Sequence, residues 1–232
     1  KAPPPPPPLP PPSPPPLFLT SLVEYPTQRK LYANDPEASD FFGRSVSLYG
    51  DTALIGAYKD DDNTKTDSGS VYVFTRSSSD GTFTQQSKLH ASDPGAYDRF
   101  GMSVSLYGDT ALIGAHEDDD NSKSGSGSVY VFTRSNTDGK FTQQSKFHAS
   151  DPGKNDYFGC SVSLYGDTAL IGAFFDDDHG KSSSGSVYVF TRSNTDGGTF
   201  TQQSKLHASD STATDMFGMS VSLYGDTVLI AA

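Results

Sequence analysis

Apolar and polar residues alternate over short stretches of this chain, and the same alternation returns again and again. In Ser103–Tyr107 (SVSLY), Val104 and Leu106 alternate with serines, the period-two pattern of a strand with one covered face. Gly108-Asp109 then reads as a two-residue turn suited to the primed hairpin types. Thr110–Ala115 (TALIGA) is nearly continuous in apolar residues, as expected of a strand covered on both faces. An acidic, Gly/Ser-rich loop follows. The β-branched and aromatic segment Gly127–Arg134 predicts a third strand. A turn at Asp138-Gly139 leads to Phe141–Ala149, a polar fourth strand that reads as an exposed edge. No stretch shows helical periodicity.

The unit is repeated. Phe42, Phe100, Phe158 and Phe217 each open a copy, so successive copies are offset by 58, 58 and 59 residues. A repeat of this length cannot bury its own apolar face, so copies must pack on one another. Four antiparallel strands per copy, apolar inside and polar outside, describe a propeller blade. The fold class expected is therefore all-β, a β-propeller of four-stranded antiparallel blades. Three copies are complete (Phe42–Asp93, Phe100–Asp151 and Phe158–Asp210). Phe217–Ala232 supplies strands one and two only. At the other end Lys30, Leu31, Ala33, Asp35, Pro36 and Asp40 match Lys88, Leu89, Ala91, Asp93, Pro94 and Asp98, and LFLTS at Leu17–Ser21 echoes VFTRS. Leu17–Asp35 thus reads as a strand four, with part of a strand three. Two strands at each end make one split blade, closed within a chain, shared head to tail between neighbouring molecules, or left open where a longer array is cut. Its candidate contact residues are Leu17, Phe18, Leu19, Val23, Tyr25, Val221, Leu223, Leu229 and Ile230.

The first 16 residues differ in kind. They hold 12 of the 16 prolines, which predicts a polyproline II tract over residues 1–16, ahead of a repeat domain over 17–232. PPPPPPLPPP resembles the tracts bound by profilin-type and EVH1-type domains. SPPP resembles the motifs of hydroxyproline-rich cell-wall glycoproteins. On the latter likeness Pro3, Pro4, Pro5, Pro6, Pro7, Pro8, Pro10, Pro11, Pro12, Ser13, Pro14, Pro15 and Pro16 are candidate modification and glycosylation positions. No N-x-S/T sequon occurs.

Over residues 27–232, FG followed by SVSL.GDTALIGA, DDD and SGSVYVF resembles the FG-GAP repeat, the type that builds the propeller of integrin α subunits. The resemblance implies a secreted or cell-surface protein. It also implies that the loop after strand two holds Ca²⁺, through a D-x-D-x-D-G pattern. Here three consecutive aspartates stand instead, and neighbouring side chains diverge on an extended segment. The calcium candidates are Asp60, Asp62, Asp118, Asp120, Asp176 and Asp178, against a reading in which these are solvated acidic turns. His90, His148 and His207 recur at one position of strand four, too far apart from copy to copy to share an ion.

Charge and composition narrow the partners. The net charge of −11 and pI of about 4.7 disfavour nucleic acid and anionic membranes. No run reaches the roughly 20 apolar residues of a membrane span. Cys160 stands where other copies carry Arg44, Met102 and Met219, so it reads as a packing or surface side chain. Almost every polar residue occurs three or four times, which argues against an active site. The function expected is a self-assembling structural glycoprotein, a fibre or surface coat whose partner is itself. The alternative is a calcium-supported adhesion module that binds a protein or glycan.

Overall fold

The computed structural model describes residues 28–61, 65–120, 122–193 and 198–232. The chain divides into two compact units, Lys1–Leu31 and Tyr32–Ala232. The second carries every strand. Its first sheet is β1 (Ser45–Tyr49), β2 (Thr52–Ala57), β3 (Ser70–Arg76) and β4 (Phe83–Leu89). Its second is β5 (Phe100–Tyr107), β6 (Thr110–Ala115), β7 (Ser128–Arg134) and β8 (Phe141–Phe147). Its third is β9 (Ser161–Tyr165), β10 (Thr168–Ala173), β11 (Ser186–Arg192) and β12 (Phe200–Leu206), and β13 (Ser220–Tyr224) pairs with β14 (Thr227–Ala231) alone. Strands pair antiparallel in chain order, as in propeller blades. In each full sheet the register slips by one residue between strands three and four, a bulge that leaves Gln144 as the extra residue beside Val131 and Phe132. One 3₁₀ turn, Asp178–Gly180, is the only helical element among the described residues, and no helix there is long and apolar enough to cross a membrane.

The core lies between successive sheets. One cluster joins Leu54, Val71, Val73 and Leu89 of the first sheet to Val104, Leu106, Ile113, Tyr130 and Phe132 of the second. The next joins Leu112, Val129 and Val131 to Val162, Leu164, Ile171, Tyr188 and Phe190. Strand two therefore feeds both neighbours, Ile113 backwards and Leu112 forwards, which is why its sequence is apolar throughout. The serines that alternate with Val and Leu in strand one have a matching task. Ser45, Ser103 and Ser161 donate Oγ hydrogen bonds of 2.7–2.8 Å to the carbonyls of Gly101, Gly159 and Gly218 in the following sheet. Ser47, Ser105 and Ser163 accept from the amides of Leu106, Leu164 and Leu223 at 2.9 Å.

That approach leaves no room for a side chain. A Cβ built on Gly56, Gly114 or Gly172 would lie 2.0–2.1 Å from the Gly carbonyl of the next sheet. In β14 the equivalent position is Ala231, and Val228 stands where Ala53, Ala111 and Ala169 stand. At both ends of the row the packing faces are uncovered. Val46 and Leu48 are 68% and 63% exposed, against 8% and 5% for Val104 and Leu106. Leu229 is 70% exposed, whereas Leu54 and Leu112 are fully buried.

Four sequence expectations need correction. The first strand of the second copy begins at Phe100, not Ser103, because Phe100 pairs with Ala115 across a bulge. The third strand begins at Ser128, not Gly127, because Gly127 adopts φ +83° to clear the backbone of Phe158. The fourth strand ends at Phe147, not Ala149, where the chain turns away toward the next sheet. Residues 28–35, expected to complete a strand four, form no strand. The remainder of that expected half-blade, with Leu17, Phe18, Leu19, Val23 and Tyr25, lies outside the described residues. So do the proline tract over 1–16 and its candidate modification positions.

Candidate functional site

The acidic loops after β2, β6 and β10 each carry three consecutive aspartates, and in the second and third repeats the structure sends the three in different directions. In the second repeat the loop is closed at its base by the amide of Asp118 donating to Ala115 O and that of Gly127 donating to Asp118 O. This closure turns the Asp118 carboxylate inward, where it is buried. There it accepts from Ser128 Oγ at 2.6 Å and from Lys146 Nζ at 2.9 Å, with Tyr130 OH at 3.4 Å. Lys146 also reaches Asp93 Oδ2 at 2.9 Å, and Tyr130 OH donates to Asp93 Oδ1 at 3.0 Å. Asp93 belongs to the linker from the first sheet, so this cluster ties one blade to the preceding linker.

The first and third repeats rebuild the same cluster. Asp60 is held by Ser70, Tyr72 and Lys88, and Lys88 reaches Asp35 at 2.8 Å. Asp176 is held by Ser186 and Lys205, and Lys205 reaches Asp151 at 2.8 Å. Each lysine also lies 5.2 Å from the centre of its tyrosine ring. Burial alone lowers the affinity of Lys146 for its proton, but the hydrogen bonds and charges of Asp118 and Asp93 outweigh it and raise the lysine above its ordinary value. Burial pushes the Tyr130 hydroxyl up, and the charge of Asp118 adds to this, so the phenol remains a donor. Calcium ligation by Asp60, Asp118 or Asp176 would require these contacts to be exchanged.

The second aspartate of each triplet closes its own loop. Asp61, Asp119 and Asp177 accept the amides of Asp67, Gly125 and Ser183 at 2.7–2.8 Å. The third faces the histidine that follows strand four. Asp120 Oδ2 lies 3.4 Å from His148 Nε2, and Asp178 Oδ2 lies 3.4 Å from His207 Nδ1. Asp62 lies outside the described residues. Of the split-blade candidates, Val221, Leu223 and Ile230 pack against Leu170 and Val187 of the third sheet, whereas Leu229 is exposed.

The recurrent aspartates before each Phe-Gly divide by role. Asp40, Asp98, Asp156 and Asp215 shape the turns the sequence predicts, accepting the amides of Glu37, Gly95, Gly153 and Thr212. Asp35, Asp93 and Asp151 instead form the ion pairs to Lys88, Lys146 and Lys205, which sequence reasoning missed. Their signal was a lysine recurring in a strand otherwise neutral and polar. Cys160 is buried, and burial pushes its thiol up to about 11. Its Sγ contacts Gly218 O at 3.8 Å, a packing role.

No curated protein matches the chain. Solved structures that resemble it include a candidate 6-phosphogluconolactonase from Bacteroides uniformis ATCC 8492, at 11% identity and a TM-score of 0.47 over 74% of this chain and 43% of that one. Saccharomyces cerevisiae Sqt1 follows, at 13% identity and a TM-score of 0.44 over 75% of this chain and 37% of that one. The chain thus spans less than half the length of either. The FG-GAP repeat matches residues 25–74, 83–132, 141–190 and 200–232. The second match runs from β4 through β5 and β6 into β7, so one sequence repeat straddles two blades. The FG-GAP repeat propeller family is generally non-enzymatic and typical of extracellular or surface proteins. Matched over most of its length, this chain belongs to the FG-GAP repeat family.

Proposed function

We propose that the protein is an extracellular structural module that links to further copies of itself through the open edge of its last sheet. One observation carries the reading. β14 is equivalent to β2, β6 and β10 but departs from them in sequence, with Val228 and Ala231 standing in place of their alanine and glycine. Ala231 O accepts from Gly218 N on the β13 side. Alternation then turns the backbone polar groups of Val228 and Ile230 toward the open edge. An open edge of this kind takes an added strand. The segment 17–31 of a second copy is the proposed occupant, since its sequence echoes strands three and four. The contact is heterologous and generates a chain of molecules. The proline tract, modified as in hydroxyproline-rich glycoproteins, serves as a strut between them.

The test is oligomeric state by sedimentation over a wide concentration range, for the parent chain and for Val228→Pro. Proline removes the outward N–H of an exposed edge residue and is tolerated on edges. Concentration-dependent oligomers in the parent and monomers in the variant are expected. Uniform monomers of the parent at every concentration would sink the idea.

A further inference from the structure

We propose that the third repeat carries a binding site for a late divalent transition ion such as Zn²⁺, formed by Asp178, His179 and His207. Among the described residues these make the one group of three metal-ligating side chains whose donor atoms all lie within 4.8 Å of one another. Asp178 Oδ2 contacts His179 Nδ1 directly and lies 3.4 Å from His207 Nδ1. The two imidazole rings meet edge to face at 4.6 Å between centres. Tetrahedral Zn²⁺, with bonds of about 2.0–2.2 Å to nitrogen and oxygen, sets its donors roughly 3.3–3.5 Å apart. The spacing of Asp178 and His207 already meets this. His179 is exposed, so a small rotation of its side chain completes the set. Three protein donors leave a fourth position open to water.

The repeat itself supplies an internal comparison. The second repeat keeps the Asp120–His148 pair but carries Asn121 at the position of His179, as the first carries Asn63. Only the third repeat adds the second imidazole. The loop holding it is fixed by Ser183 N on Asp177 Oδ1 at 2.7 Å, Lys181 N on Asp178 O at 3.0 Å and Gly185 N on Asp176 O at 3.0 Å. His179 sits at φ 52°, a left-handed conformation that asparagine and histidine adopt more readily than most residues. Lys205 Nζ lies 3.6 Å from Asp178 Oδ1, but Asp151 and Asp176 already neutralise it at 2.8 Å each. It therefore does not repel a cation as an unpaired lysine would. Two imidazoles and one carboxylate select zinc, copper or nickel over the hard oxygen-seeking Ca²⁺. This site is accordingly distinct in chemistry from the calcium loop expected of the family.

The experiment is calorimetric titration of the tag-free chain with Zn²⁺, paired with Co²⁺ absorption to report a nitrogen-containing, four-coordinate site. The parent is expected to bind one ion per chain, undisturbed by millimolar Ca²⁺. His179→Asn, which restores the residue of the other repeats, should weaken binding at least tenfold, and His207→Gln should do the same. Circular dichroism of the metal-free variants should match the parent, because both side chains are exposed. Absence of saturable Zn²⁺ binding by the parent overturns the proposal. So does binding by both variants as tight as that of the parent.

Discussion

Replacing Gly114 by alanine tests the principle on which the blades stack. The added methyl would lie 2.0 Å from Gly159 O and 2.4 Å from Ser103 Oγ. Ordinary contact begins near 3.4 Å, so the facing backbone must retreat by about 1.4 Å (3.4 minus 2.0). Gly114 lies within β6, and the Gly159 backbone is held by its amide hydrogen bond of 3.0 Å to Gly172 O, so neither yields as a flexible side chain would. Overpacking of this kind costs about 1–3 kcal/mol. The displaced Ser103–Gly159 hydrogen bond, 2.7 Å long and buried, adds about 1 kcal/mol. Gly114 does not occupy the positive-φ region, so alanine also removes about 0.4–1 kcal/mol of unfolded-state freedom. The net expectation is a loss of about 2–3 kcal/mol. Urea denaturation followed by tyrosine fluorescence and circular dichroism measures it. Ala231→Gly is the control, since Ala231 is exposed. It should cost no more than about 1 kcal/mol, the intrinsic penalty of glycine in a strand. If Gly114→Ala unfolds at the same urea concentration as the parent, the account of close stacking is wrong.

Two further outcomes follow from the buried charges. Lys146→Met strands the buried Asp118 carboxylate and should cost about 2–4 kcal/mol in the same assay, with part of the loss recovered by adding Asp118→Asn. An unchanged midpoint for the single variant would mean that the lysine pairs are ornamental. Burial pushes Asp98 and Asp156 up to about 6. Their folded values exceed the unfolded value near 4, so their contribution to stability is fully present below about pH 4 and lost as pH rises through about 6. Asp98→Asn should therefore gain on the parent between pH 4 and pH 7. Carboxyl NMR titration showing midpoints near 4 for both residues would contradict this.

The architecture was legible because it rests on local alternation repeated in register. SVSLY and TALIGA announce a hairpin covered on one side and then on both, and four copies remove the ambiguity of any single one. Strand limits were less legible. Gly127 and Ala149 have residue types compatible with strand, and only the approach of Phe158 and the turn toward the next sheet take them out of it. The acidic triplets were visible as a cluster, but not what each aspartate does. Asp118 is claimed by Lys146, some 28 residues away in strand four, and by the Tyr130 hydroxyl. Pairings at that separation depend on which face of β7 and β8 the side chains share, which spacing alone does not report. His179 and His207 illustrate the same gap. Treating the strand-four histidines as a set hid the fact that His207 meets a second imidazole, His179, on a loop of its own blade.

The last sheet departs from the repeat at two positions, and the departures bear on what can dock there. The inner copies keep TALIGA, whereas the last reads TVLIAA. Ala231 replaces the glycine against which a following Phe-Gly carbonyl would sit at 2.0–2.1 Å from Cβ. A further blade with the spacing seen inside the row would press into that methyl, and so would the first sheet if it were brought round to close a ring at the same spacing. Val228 replaces alanine beside the open edge and remains 43% exposed. The face of the last sheet is thus altered against stacking, while its edge keeps the backbone groups that a third strand would use. This asymmetry is what the proposed assembly rests on, with an added strand rather than an added blade as the partner of β13 and β14.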